Sequence, residues 1–183
     1  MARLEPLKID EMSEDQKIIA DEIIESRGKV AGPFIPWLRN AELADSNKKL
    51  GAFCRFNTSL SPRLSEFIIL IVARKWDIYL EWQVHRPLAI EAGMSTDVIE
   101  ALRVKVVPLF VNKDEEIIYQ FCSELLENKR VSDGLYDTAL REFGPPKLVD
   151  IVAIVGYYCN VAMTLNAFEI FPENGDDVFS QDN

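Results

Sequence analysis

Histidine is almost missing from this chain. Its 183 residues include one, His85. Cysteine is scarce as well: Cys54, Cys122 and Cys159 lie far apart, form no CxxC pair and have no zinc-ligand spacing. Each sits in an apolar helical pattern, which reads as a buried small hydrophobe in a reducing, cytoplasmic setting. No run of Lys or Arg builds a basic patch, and the net charge is −10. Such a surface repels phosphate backbones and anionic lipids, so neither nucleic acid nor membrane is an expected partner. There is no glycine-rich phosphate loop, no metal cluster and no nucleophile elbow. The first residues, MARLEPLKIDEMSED, lack the apolar core of a signal peptide. A continuous membrane-length apolar run is also lacking. Residues 148–165 come nearest, but Asp150 and Asn160 interrupt them, and a buried core helix is the better reading.

What remains is ordinary globular composition, 48% apolar and 27% charged, enough to build one domain with a substantial core. Helical signals run through the whole length. Ser13 and Gln16 form a capping-box pair opening a helix over 11–28 that Gly28 closes, with Ile18, Ile19 and Ile23 as its apolar stripe. Residues 29–36, rich in Gly and Pro, connect onward with Val30, Phe34 and Ile35 packing down. Residues 37–57 read as helix, interrupted near Asp45 and Ser46, with Leu50, Phe53, Cys54 and Phe56 facing inward. Ser61 and Pro62 are a helix start, hydroxyl cap followed by proline at the first position. Gly93 ends the next helix and Ser95 starts a short one to about Arg103. VKVVP at 104–108 is too brief to claim a sheet. Asn112 and Glu115 open a helix whose Ile117, Ile118, Phe121, Cys122 and Leu125 keep a clean amphipathic period. Ser132 caps another, with Leu135, Tyr136, Ala139, Leu140 and Phe143 inward. Gly144, Pro145 and Pro146 separate it from a long, almost wholly apolar final helix, which calls for burial in the core or a subunit contact. The tail 169–183 carries five acids and no base, and is expected to be loosely ordered at its end. The fold class is all-α, with about seven or eight helices in a single domain over 1–183.

Chemistry concentrates in residues 61–93. Glu66 sits in an otherwise apolar segment, Leu64 to Val72, where a carboxylate is costly unless partnered. It is either tuned by its surroundings or faces water near the helix start, favouring the dipole. Glu81 and His85, four apart, share one helix face. They are either an orienting acceptor with a general acid/base or an exposed pair contributing roughly 0.3 kcal/mol. Pro87 favours the first: it deprives the Gln83 carbonyl of its helical donor and tends to kink the helix beside the imidazole. Arg63, Arg74 and Arg86 flank the stretch, and one of them can hold an acidic substrate through a bidentate contact. Trp76, Tyr79 and Trp82 surround it. Tyr157, Tyr158 and Asn166 set polar groups on the last apolar helix, where they need partners or line a pocket.

Two stretches, SPRLSEFIILIVARKW and YLEWQVHRPLAIEAGMSTDVIEAL, resemble the carboxymuconolactone decarboxylase family of the alkylhydroperoxidase D-like superfamily. The shared features are a glutamate on one helix, Glu-x-x-x-His on the next, and a glycine eight residues after the histidine. The ending GYYCNVAMTLNAFEI is similar to the C-terminal helix of longer members, leaving 1–36 as an N-terminal extension and 170–183 as an acidic tail. The resemblance implies a helical bundle assembling into trimers or hexamers, with pockets near subunit contacts. It implies a reaction without metal or organic cofactor, the loss of carbon dioxide from a carboxylated lactone in aromatic compound catabolism. His85 would be the proton donor, and Glu81 or Glu66 would orient or recharge it. Arg63, Arg74, Trp82 and Tyr158 are the candidate substrate contacts. The peroxidase branch of the superfamily uses a CxxC whose two positions correspond here to Ile78 and Glu81, so its thiol reaction is not expected.

Three function classes follow. The first is a cofactorless enzyme on a small carboxylated or lactone-like molecule. The second is a non-catalytic oligomeric ligand-binding or scaffold protein of the same fold. The third, least supported, is a redox protein using the isolated cysteines.

Overall fold

The computed structural model describes residues 2–172 and Phe179. Among these, eight α-helices and no strand are found. They are α1 (Glu14–Arg27), α2 (Phe34–Trp37), α3 (Ala41–Ala52), α4 (Pro62–Lys75), α5 (Tyr79–Glu91), α6 (Thr96–Arg103), α7 (Lys113–Asn128) and α8 (Asp133–Ala167). A five-residue π-helical turn, Phe53–Asn57, continues α3.

The caps explain many of the boundaries. Ser13 and Gln16 make the reciprocal capping box of α1, and Gly28 ends it at φ 82°, a left-handed geometry that suits glycine. Pro62 opens α4 at its first position, although the Ser61 hydroxyl makes no capping bond. The Ser132 hydroxyl makes none either. Ser95 caps α6 through its hydroxyl. Gly144, at φ 71° and ψ 167°, breaks α8 into two limbs where the glycine and prolines require it. Residues 37–57 differ from expectation. The interruption falls at 38–40, before Asn40 caps Leu43, and the helix runs unbroken through Asp45 and Ser46.

α4 is the axis of the bundle. It packs on α5, α7 and α8, and every residue from Leu64 to Arg74 is buried. The second limb of α8 lies against it, with Ile151, Ile154, Val155, Tyr158 and Leu165 turned inward. By length and composition α8 is long and apolar enough to cross a membrane, yet 56% of its most apolar window is buried within the protein. Polar links help to fix that limb. Trp37 donates its indole N–H to Thr164, Asn160 donates to Asn47, and Asn166 donates to the Trp76 carbonyl at the end of α4.

Several apolar side chains expected inside stand in solvent instead: Ile18, Leu50, Phe56 and Tyr136. A second set runs along 104–111, where Leu109 and Val111 are 93% and 96% exposed, and a third, Val149, Val152 and Met163, lies on the outer side of α8. The expected loose end of the acidic tail falls, apart from Phe179, outside the described residues.

Candidate functional site

Three helices build the site. α4 brings Glu66, α5 brings Glu81 and His85, and the second limb of α8 brings Tyr158. Glu66 lies a turn into α4, on the side where α5 packs, so it is 8% exposed rather than facing water. His85 is 2% exposed. Its Nδ1–H donates to Glu66 Oε2 at 2.6 Å. That bond fixes the tautomer, since an ionised carboxylate can only accept. The other ring nitrogen, Nε2, lies 3.3 Å from Glu81 Oε2 and 3.3 Å from the Tyr158 hydroxyl. The phenol ring meets the imidazole edge-on, with centroids 5.3 Å apart. Pro87 is accommodated inside α5 without ending the helix.

The electrostatics follow from this geometry. Burial works to depress the His85 pKa, but the hydrogen bonds and charges of Glu66 and Glu81 outweigh it and hold the imidazole above its ordinary value. Burial first, then the Glu81 charge, pushes the Tyr158 phenol well above its usual range, so it stays an O–H donor. The ring is therefore a proton reservoir with an acceptor on each side and a phenol that donates to Nε2 when the ring is neutral.

Glu81, His85, Tyr157 and Tyr158 line an open cleft of about 990 Å³. Its walls include Phe34, Ile35, Leu80, Val84 and Val161, and its rim includes Ala2, Pro6 and Ile170–Pro172. Glu66 opens on a smaller cavity of about 450 Å³ with Ser65, Leu88 and Glu91. The Glu66–His85 hydrogen bond thus crosses the wall between the two. The N-terminal arm reaches the rim because Arg3 bonds the end of α8, through its backbone N–H to the Phe168 carbonyl and its guanidinium to Glu169.

The other candidates from the sequence are not brought to the cleft. Arg63 is held by Asp114 at 2.6 Å and by the buried Glu115. Arg74 donates Nε–H to the Arg103 carbonyl at 2.5 Å and pairs with Asp77. Arg86 is exposed. Trp82 is buried against Phe179, with ring centroids 5.2 Å apart, and does not line the cleft. Among these substrate candidates, Tyr158 alone stands at the imidazole. Sequence reasoning passed over Arg55, which lines both cavities from the π-helical turn. The signal for it was a lone cation in the otherwise apolar run LGAFCRF.

Overlaid on solved structures, the chain matches two proteins along nearly its whole length. One is an uncharacterized peroxidase-related protein from Silicibacter sp. TM1040, with a TM-score of 0.76, 14% identity, and 96% of this chain and 95% of that one covered. The other is from Ralstonia eutropha JMP134, described as an alkylhydroperoxidase AhpD core and uncharacterized peroxidase-related protein. It has a TM-score of 0.76, 15% identity, and coverage of 97% and 94%. The fold is that of the AhpD core. No family model matches the chain, and no curated protein does.

On this AhpD-like frame the thiols are poorly placed for redox work. Ile78, buried at the N-cap of α5, and Glu81 occupy the positions where the sequence resemblance puts a CxxC. Cys54 and Cys122 are fully buried. Burial, then the Asp150 charge, pushes the Cys54 thiol up to about 11. Burial likewise raises Cys122 and Cys159, leaving little thiolate at neutral pH. Among the described residues no group of three or more His, Cys, Asp or Glu side chains is arranged to hold a metal ion.

Proposed function

We propose that this protein is a cofactorless acid/base enzyme of the carboxymuconolactone decarboxylase type, acting on a small carboxylated or lactone-type molecule in the cleft. The observation that carries this reading is the state of His85. The sole imidazole is buried, bracketed by Glu66 and Glu81, and sits with Tyr158 at the wall of a cleft of substrate size.

The chemistry asks little of the protein. When the bond to the departing carboxylate breaks, carbon dioxide leaves and the electron pair passes into the conjugated lactone. The imidazolium then delivers its Nε2 proton to carbon. Neutral His85 keeps its Nδ1–H on Glu66 and takes a hydrogen bond from Tyr158 while a proton returns from solvent. The raised His85 pKa suits a group that must enter the cycle protonated. The exposed apolar residues of 104–111 and the outer side of α8 support assembly as a homo-oligomer, trimer or hexamer. The three unpaired cysteines accord with a cytoplasmic setting.

A second reading has its own support. Both ring nitrogens already have protein partners, which also suits a structural cluster in a ligand-binding protein without turnover. Screening lactones and small carboxylic acids for carbon dioxide release separates the two. With a substrate found, His85→Gln is expected to lower turnover by roughly 10²–10⁴-fold. Undiminished turnover in that variant removes His85 from the chemistry.

A further inference from the structure

Arg55 differs from the arginines described above. Its Nε is buried without a hydrogen-bond partner, and among the described residues its guanidinium makes no ion pair. Its one close neighbour of note is the Phe56 ring, 4.9 Å from Cζ. A buried guanidinium N–H without an acceptor is unusual and costly. Arg55 is presented by the π-helical turn, a local irregularity often found where a side chain is re-aimed for function. It stands in the walls of both cavities, and its charge is felt at both Tyr157 and Tyr158.

The cleft around it runs against the charge of the whole molecule. The chain carries a net −10, yet Arg27 and Arg55 line the cleft beside two carboxylates, Glu81 and Glu169. Glu169 is already paired with Arg3, and Glu81 with His85. The remaining wall is apolar and aromatic, with Phe34, Ile35, Leu80, Val84 and Val161.

We infer that Arg55 is the anion anchor of the cleft, taking the carboxylate of an aromatic or unsaturated acid through its Nη–H groups. The apolar part of that ligand then lies along the wall toward His85 and Tyr158. The inference rests on the proposed reading for the use of the cleft, but its test does not depend on turnover. It also sets a specificity: a ligand whose carboxylate is replaced by a neutral amide loses its fixed end, because an uncharged amide cannot satisfy the guanidinium as well.

The test is calorimetric titration with benzoate and with benzamide, its neutral counterpart. Wild type is expected to bind benzoate at least about tenfold more tightly than benzamide. Arg55→Gln is expected to weaken benzoate by about tenfold or more with benzamide unchanged, and Arg55→Lys to recover part of the loss. Circular dichroism melts verify that both variants fold. His85→Gln and the Arg55→Gln/His85→Gln pair separate this anchor from catalysis, because the Arg55 dependence persists when the imidazole is gone. The anchor is overturned by equal binding of benzoate and benzamide, by wild-type protein that does not bind benzoate, or by Arg55→Gln binding it as wild type does. None of those results bears on whether His85→Gln abolishes turnover.

Discussion

Two charged clusters hang from the same helix, three residues apart, and they are built to opposite ends. Arg63 of α4 meets Asp114 and Glu115 at the start of α7, where Asn112 adds a further hydrogen bond to Glu115. Every strong polar group there has a protein partner, and the guanidinium lines neither of the two cavities described above. Glu66, one turn on, meets His85, whose second nitrogen faces Glu81 and Tyr158 beside a cleft. Here two acids compete for one base, and Arg55 nearby has no ion pair among the described residues. The first cluster is closed and joins helices. The second sets a titratable ring between two acids beside a cation with no ion pair among the described residues, an arrangement that supports the proposed acid/base reading.

Removing one partner from the closed cluster is the most damaging way to test this contrast. Arg63→Leu strands Glu115, which is 2% exposed, as an unpaired buried carboxylate. The expected loss is about 3 kcal/mol of stability, read as a fall in the urea midpoint. Benzoate binding at the cleft is expected to be unchanged in the folded variant. If binding falls with stability, Arg63 belongs to the ligand site after all, and the two clusters are one.

How far the sequence carried the reading differs in the same way between fold and site. Helix positions were legible because each carries its own start and stop: Ser13 with Gln16, Gly28, Pro62, Ser95, Gly144. Those signals act within a turn or two of chain and survive any tertiary context. The Glu-x-x-x-His pair was legible for the same reason, being spaced along one helix. The partner on α4 was half-legible. Glu66 stood out among apolar neighbours, but its direction depends on where α5 packs. Arg63, Arg74 and Arg86 were candidates by nearness in sequence, and nearness failed because α7 and the end of α6 claim two of them. Arg55 was missed because a π-helical turn, not a period in the sequence, aims it. Phe56, Leu50 and Tyr136 were placed inward on helical period alone, which says nothing about which face the neighbouring helices leave open.

A milder perturbation sharpens the comparison through pH. The folded His85 pKa lies above its ordinary value of 6.5, so the folded chain holds that proton more tightly than the unfolded one. The stabilisation is fully present below about pH 6.5 and is lost as pH rises through the folded pKa. The groups facing the ring are Glu66 from α4, Glu81 from α5 and Tyr158 from α8, and no other imidazole exists to blur the transition. The urea midpoint of wild type is expected to fall, as pH rises above about 6.5, more steeply than that of His85→Gln. Equal slopes in the two proteins mean that the carboxylates do not hold the proton.

The smallest effect belongs to Tyr158. Its hydroxyl meets Nε2 at 3.3 Å, a long hydrogen bond, while its ring packs edge-on against the imidazole regardless of the hydroxyl. Tyr158→Phe keeps the ring and removes the O–H, so stability is expected to change by about 1 kcal/mol or less. The direction of the accompanying shift in the His85 pKa is informative. The phenol donates to Nε2 only when the ring is neutral, so its loss should raise the imidazole pKa further, visible as an upfield or downfield titration of the single histidine by NMR displaced to higher pH. The Arg63 cluster contains no histidine and offers no such handle. A displacement to lower pH instead means that Tyr158 accepts from the imidazolium rather than donating to the neutral ring.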